Sequence, residues 1–267
     1  MFPAFVRIGP LELSTYSAIL GLGLIGSIGL GVWQGQRRGL VASRLFDVTL
    51  LAAVGGLVGA RIAYVAVNWV YYRDHVSEAL RMWSGGLAWQ GGLGLALLLV
   101  LVTITRSRLP RAKVLDALAL GWAWFTLCLW LGSGVANDVY GRETWPGDGL
   151  WWRLSADLPD LYGLRAPRIN VALLGVGWSA LVLAAIGLLT RFSKRPGISF
   201  FTYLLLTGLG GLWLVPLQAS PAPYLLRARL DGWFYLTLVG AGLCGLIVVK
   251  RRNTSLQNQG KGETNDE

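Results

Sequence analysis

Two stretches of this chain set polar chemistry inside apolar surroundings. In Gly55-Gly56-Leu57-Val58-Gly59-Ala60-Arg61 a guanidinium closes a run that carries no other charge. Arginine keeps its charge in any protein and presents its donors as a planar fork. There it can grip a phosphate, centre an internal polar network, or snorkel to the nearer aqueous interface as an anchor. In Met82-Trp83-Ser84-Gly85-Gly86-Leu87-Ala88-Trp89-Gln90-Gly91-Gly92-Leu93, two Gly-Gly-Leu turns flank Ala88-Trp89-Gln90. Paired glycines let backbone approach backbone or a ligand closely. Trp83, Gly85, Gly86, Gly91 and Gly92 can thus wall a polar groove that holds the Gln90 amide, or form a plain re-entrant turn ahead of a helix.

The elements that must position these groups are membrane spans. Of 267 residues, 54% are hydrophobic and 14% charged, too apolar for an ordinary soluble domain. Stretches able to cross about 30 Å of hydrocarbon lie near 13–35, 46–69, 91–105, 114–135, 170–190, 198–217 and 231–249. They predict an all-α fold of seven transmembrane helices, the third one short unless Gly85 to Gln90 already sit at interfacial depth. The net charge of +10 is spread over alternate loops, which argues against nucleic acid as a partner. One set of loops holds fourteen basic residues, among them Arg37, Arg38, Arg44, Arg106, Arg191 and Lys250, whereas the other holds nine balanced by nine acids. The positive-inside rule then predicts an outside N-terminus and a cytoplasmic C-terminus. Because Arg37 and Arg38 follow the first apolar segment, that helix is expected to remain as an anchor. A single membrane domain is expected over 1–249, its 137–168 loop forming a small outer head, with 250–267 as a disordered cytoplasmic tail.

On these spans Arg61 stands roughly 22 Å above a cytoplasmic helix start near Phe46, in the outer half. Tyr16 enters the first helix from the outer side, and interfacial placement is the ordinary role of such a tyrosine. Asp47 and Asp116 open helices at the cytoplasmic face, where the helix dipole favours them. His75, the only histidine, reads as a solvated loop residue. Cys128 and Cys244 read as small hydrophobes within spans, with no partners for a metal or disulfide. Trp145, Trp151, Trp152 and Tyr162 in the head suit a headgroup layer. Broken-helix pairs and acid relays are both missing, which weakens a transporter reading.

Taken in order, four features resemble bacterial prolipoprotein diacylglyceryl transferases over roughly residues 7 to 94. They are Ile8-Gly9-Pro10-Leu11 ahead of Tyr16, the Arg37-Arg38 helix end, Gly59-Ala60-Arg61-Ile62-Ala63-Tyr64-Val65, and Trp83-x-Gly-Gly-Leu-x-x-Gln-Gly-Gly-Leu. The resemblance implies a seven-helix enzyme of the bacterial plasma (inner) membrane. Such an enzyme moves the diacylglyceryl group of phosphatidylglycerol onto the lipobox cysteine thiol of a preprolipoprotein, releasing glycerol phosphate at the outer leaflet. Gly132, Asp138 and Gly141 fall on the family's glycine-rich signature, and Arg142 on the basic residue after it. Departures are equally specific. Gln90 stands where the family has histidine, Trp130 where it has arginine and Ser133 where it has asparagine. Arg165-Ala166-Pro167-Arg168 lacks the family histidine, and 198–217 carries no charge.

Displacing a phosphate monoester from a glyceryl carbon needs positive charge at the leaving oxygens and an acceptor for the thiol proton. The resemblance therefore implies Arg61 and Arg142 on the lipid phosphate, Tyr16 and Gln90 positioning the substrates, and Asp138 ordering the arginines. Trp83, Gly85, Gly86, Gly91, Gly92, Ser133 and Gly141 would line the groove, and Arg227 or Arg229 could add charge from the last outer loop. Since an amide at 90 cannot accept a proton at neutral pH, a lipid-binding or accessory relative without turnover is the competing expectation. The expected partners are phosphatidylglycerol, other membrane lipid and the lipobox segment, with neither metal nor cofactor.

Overall fold

The computed structural model describes residues 4–8, 11–81, 86–160, 162–193 and 195–263. The chain begins with the hairpin β1 (Ala4–Ile8) and β2 (Leu11–Ser14), followed by helices α1 (Thr15–Arg37) and α2 (Ala42–Val67). One-turn helices α3 (Trp69–Tyr72) and α4 (Val76–Ala79) lead to α5 (Trp89–Arg106) and α6 (Arg111–Ala136). A short helix α7 (Leu150–Arg153) and the antiparallel pair β3 (Ser155–Pro159) and β4 (Arg165–Ile169) fold the 137–168 loop into a small head. Then come α8 (Val171–Phe192), α9 (Ile198–Leu214) with a 3-10 turn at Val215–Leu217, the hairpin β5 (Tyr224–Leu225) and β6 (Ala228–Arg229), and α10 (Leu230–Glu263).

Among the described residues, α1, α2, α5, α6, α8, α9 with its 3-10 turn, and α10 are long and apolar enough to cross a membrane. This is the seven-helix, mostly helical fold expected. Helix satisfies backbone polar groups within each segment, as hydrocarbon requires, and exposed Leu22, Ile25, Val54, Leu57, Leu98, Leu181 and Ile247 form its apolar outer surface. The third span begins at Trp89 rather than 91, so Gln90 belongs to its first turn. Residues 250–263, expected as disordered tail, continue α10 as helix. Extending a formed helix is cheap compared with nucleating one, and this polar stretch holds no proline.

The chain divides into two compact units, residues 28–118 and residues 1–27 with 119–267. In the first, α2 lies against α5 along small residues. A Cβ on Gly59 would stand 2.5 Å from the Gly91 carbonyl oxygen, and one on Gly92 would stand 2.9 Å from that of Gly56. Only glycine lets two helix backbones come this close. Asp116, expected merely to favour a helix start, is fully buried and accepts a 2.6 Å hydrogen bond from Arg38 Nη1. A buried carboxylate needs such a partner because desolvation penalises an isolated charge.

In the second unit Ile169, Val171, Leu214 and Leu217 form a buried cluster, covered by Trp130, Val139, Trp151 and Leu174. The Trp130 indole occupies the space a Cβ on Gly175 would need, so it joins α6 to α8 as packing. The Asn170 side chain caps α8 by accepting from the Leu173 N–H at 2.9 Å.

Candidate active site

Arg61 is 4% exposed. Its Nε donates to Ala79 O at 2.8 Å, Nη1 to Gly86 O at 3.0 Å and Nη2 to Glu78 O at 2.6 Å. Tyr72 and Tyr64 lie beside the guanidinium, at 5.5 and 5.9 Å from Cζ to ring centroid. Of the roles the sequence left open, this is the internal polar network. The fork assigned to a lipid phosphate is turned onto main-chain carbonyls of the segment joining α2 to α5. Glu78 and Ala79 close the one-turn helix α4 and Gly86 is left-handed, so no long ladder runs through them; Glu78 O also accepts from the Arg81 N–H at 3.1 Å, and a permanent cation with several donors ties the three carbonyls together.

The glycines assigned to a groove have packing roles in the same unit. Gly86 holds φ +74°, and a Cβ there would collide with the Tyr64 ring. Gly91 faces Ala63 and the Gly59 carbonyl, while Ala88 N–H donates to Ala60 O at 3.0 Å, tying the start of α5 to α2. Gln90 is half-buried in the first turn of α5. Trp83 and Gly85 lie outside the described residues. His75 is exposed, its ring stacked on Tyr71 at 4.5 Å between centroids.

The other unit brings together the remaining assigned residues. Helix α6 ends where Asn137 turns left-handed at φ +52°. Just beyond it lies Asp138, its carboxyl influenced by the Ser133 side chain and by the main chain of Asp138 and Val139. The Tyr16 ring lies against Gly132, where a Cβ would stand 3.1 Å from Tyr16 Cδ2, and Asp138 acts on Tyr16 electrostatically. The residue is accessible, yet protein around its carboxyl desolvates it enough to raise the pKa above the ordinary carboxylate range, with its hydrogen bonds pulling the other way.

The chain beyond Asp138 is bridged on both sides, Gly141 to Gln218 and Glu143 to Arg168. Gly141 N–H donates to Ile169 O and Arg142 N–H to Leu217 O, both at 3.1 Å. A Cβ on Gly141 would stand 2.6 Å from Ile169 O and 3.0 Å from Leu217 O, so this glycine lets three chain segments meet. Arg142 between these bridges is exposed, with no side-chain partner among the described residues.

Two arginines carry more structure than their sequence context suggested. Arg168 is buried, donating to Glu143 Oε1 at 2.8 Å and Asp160 Oδ2 at 3.3 Å above the Tyr140 ring. Arg229, expected to add charge from the last outer loop, turns its fork onto the segment before it. It donates to Gln218 O, Ser220 O and Gln218 Oε1 at 3.2, 2.9 and 3.0 Å, and lies 3.4 Å from Asp231. The usable signal was chemical: Arg168 lies in a loop holding the acids Glu143 and Asp160, and Arg229 stands two residues before Asp231.

Residues 3–248 match the family model described as prolipoprotein diacylglyceryl transferase. A phosphatidylglycerol–prolipoprotein diacylglyceryl transferase of Lactiplantibacillus plantarum is 36% identical over 216 residues, covering 76% of this chain and 73% of the relative. Proteins of the same name from Streptococcus suis are 28% identical over 259 residues, covering 96% of this chain and 95% of the relative. One numbered 2 from Streptomyces coelicolor is 29% identical over 268 residues, covering 95% and 81%. The match takes in all seven spans and the head between the fourth and fifth, and the chain belongs to the prolipoprotein diacylglyceryl transferase family.

Proposed function

We propose that this chain transfers the diacylglyceryl group of phosphatidylglycerol to the cysteine thiol of a prolipoprotein, in the plasma membrane of a bacterium. The observation that carries the reading is the near full-length match to relatives named for that reaction. Geometry supports it in the unit of residues 1–27 and 119–267, where Tyr16, Ser133 and Asp138 gather at the end of α6 and Arg142 offers an unpaired guanidinium. Such a fork suits a phosphate bidentately. Arg142→Ala should therefore weaken phosphatidylglycerol binding in nanodiscs by about tenfold or more without lowering thermal stability, since each good charge-assisted bond contributes about 1.5–3 kcal/mol. Unchanged affinity would remove Arg142 from the phosphate site.

The charge asymmetry supports an outside N-terminus and head, with the C-terminus in the cytoplasm. A cysteine at position 150 should then react with impermeant reagent on intact cells, and labelling only after the inner face is opened would overturn this orientation. Rescue of a transferase-depleted bacterium, paired with lipidation of a lipobox peptide by purified protein, tests the reaction itself. The second reading, a lipid-binding relative without turnover, is favoured by Gln90, Trp130 and the uncharged α9 where the resemblance implies histidine and arginines. Lipid binding with neither rescue nor lipidation would select it.

A further inference from the structure

The head carries a cavity of about 270 Å³, open to solvent and walled by Trp145, Pro146, Trp152, Ala166 and Pro167. Three local features build it. Thr144 N–H donates to Pro167 O at 2.9 Å, which lays this segment along β4. Asp148 Oδ2 accepts from the Trp145 N–H at 2.9 Å and holds the turn that follows. On α7, Trp151 packs onto the buried cluster of Ile169 and Leu214, while Trp152 lines the cavity. Thr144 also lines it, but its hydroxyl donates to Pro167 O at 3.3 Å, so the one charged side chain in the lining is Glu143. Trp145 stays 69% exposed, a large apolar surface for an occupant to cover.

Glu143 is only half matched by its partner. Its Oε1 accepts from Arg168 Nη2 at 2.8 Å, yet the same nitrogen lies 3.3 Å from Asp160 Oδ2. Two carboxylates on one guanidinium leave one negative charge over, and no second cation pairs with Glu143 among the described residues. The excess is presented at the cavity, because the Glu143 side chain is 49% exposed and that of Asp160 only 15%. A lipid phosphate would be repelled there, and an acyl chain would cover the carboxylate without pairing it. The volume lies just below the roughly 300–1,000 Å³ of small-molecule sites, which leaves room for one long side chain. Lysine and arginine meet both demands: the methylene stem lies along the apolar wall while the cation reaches Glu143 and the tryptophan faces. Glu143 directly follows Arg142, and neighbouring Cα atoms are about 3.8 Å apart. The cavity therefore begins one residue from the arginine proposed to hold the lipid phosphate. We infer that it receives a lysine or arginine side chain of the prolipoprotein, a few residues beyond the cysteine that takes the lipid. The inference rests on the transferase reading.

The test measures binding of lipobox peptides to the full chain in phosphatidylglycerol nanodiscs, with lysine or glutamine set in turn at the second to sixth positions beyond the cysteine. At one register wild type should bind the lysine peptide about five- to tenfold more tightly, the combined effect of a half-exposed ion pair and a cation–π contact. The preference should fall as salt is raised. Glu143→Gln and Trp145→Ala should each reduce the ratio to below about twofold, and reading a ratio within each variant cancels any general loss of binding. Equal binding of both peptides by wild type at every register, or a preference that survives Glu143→Gln, overturns the inference. If Glu143→Gln does not fold, Trp145→Ala decides: a reduced ratio supports the cavity, and an unchanged one overturns it. Loss of the preference when phosphatidylethanolamine is added would assign the cavity to a lipid ammonium and overturn the peptide assignment. Lipidation of the same peptides separates the two readings. Product formed without a lysine preference removes only this inference, whereas no product from wild type with any peptide removes the transferase reading.

Discussion

Replacing Arg61 by alanine should release the segment between α2 and α5, and replacing it by lysine should do nearly the same. Three guanidinium nitrogens each reach a separate carbonyl, those of Glu78, Ala79 and Gly86. Hydrogen bonds to a charged group contribute about 1.5–3 kcal/mol each. Allowing for their non-additivity, local opening should become easier by at least about a hundredfold, and any lipidation should fall with it. Lysine keeps a charge but concentrates it on one nitrogen, which cannot meet three carbonyls in their places. Hydrogen exchange of the main-chain amides of 73–81 and 86–88 reads this directly. Equal protection in wild type and the alanine variant would mean that the clasp does not hold the segment, returning Arg61 to a ligand or anchoring role.

The second large effect is expected from one methyl group. In Gly91→Ala the new Cβ would collide with Ala63 Cβ and lie 2.6 Å from the Gly59 carbonyl oxygen. Neither neighbour is the end of a flexible side chain, so α2 and α5 must separate along their length. Overpacking of this kind costs about 1–3 kcal/mol, more where backbone has to move. For a chain of this size that corresponds to a melting temperature lower by about 2–12 °C. Gly94→Ala, one turn further along α5, meets nothing within 4 Å at an exposed position and should melt as the wild type does. Thermal unfolding of the two purified variants side by side makes the comparison, and identical curves would reject the close helix crossing.

The span count was legible because the bilayer sets both the length and the composition of a crossing segment. Helix ends were less so: α10 runs well past its apolar stretch, and α5 starts where the glycine pairs had suggested irregular chain. The importance of Arg61 was legible too, since a charge within a span is costly. Its partners were not. They are carbonyls 17, 18 and 25 residues away, and no side-chain pattern records where a carbonyl oxygen points. The same blindness hid Arg38 as the partner of Asp116, 78 residues apart.

Composition, apolar run length and the order of motifs determined by themselves that this is a seven-span membrane protein with a small head and a recognisable family. Those properties depend on local hydrophobicity and residue identity, which one-dimensional spacing carries completely. Only the tertiary structure decided what the conspicuous residues do. Gly59, Gly91 and Gly92 could have admitted a ligand, and instead admit a neighbouring backbone. Arg142 and Arg168 are alike in type, yet one is exposed without a partner while the other is buried against two carboxylates. A basic or glycine-rich motif states which contacts are possible. Which of them is made depends on the backbone and side chains that folding brings alongside, and therefore on separations in space that the sequence does not contain.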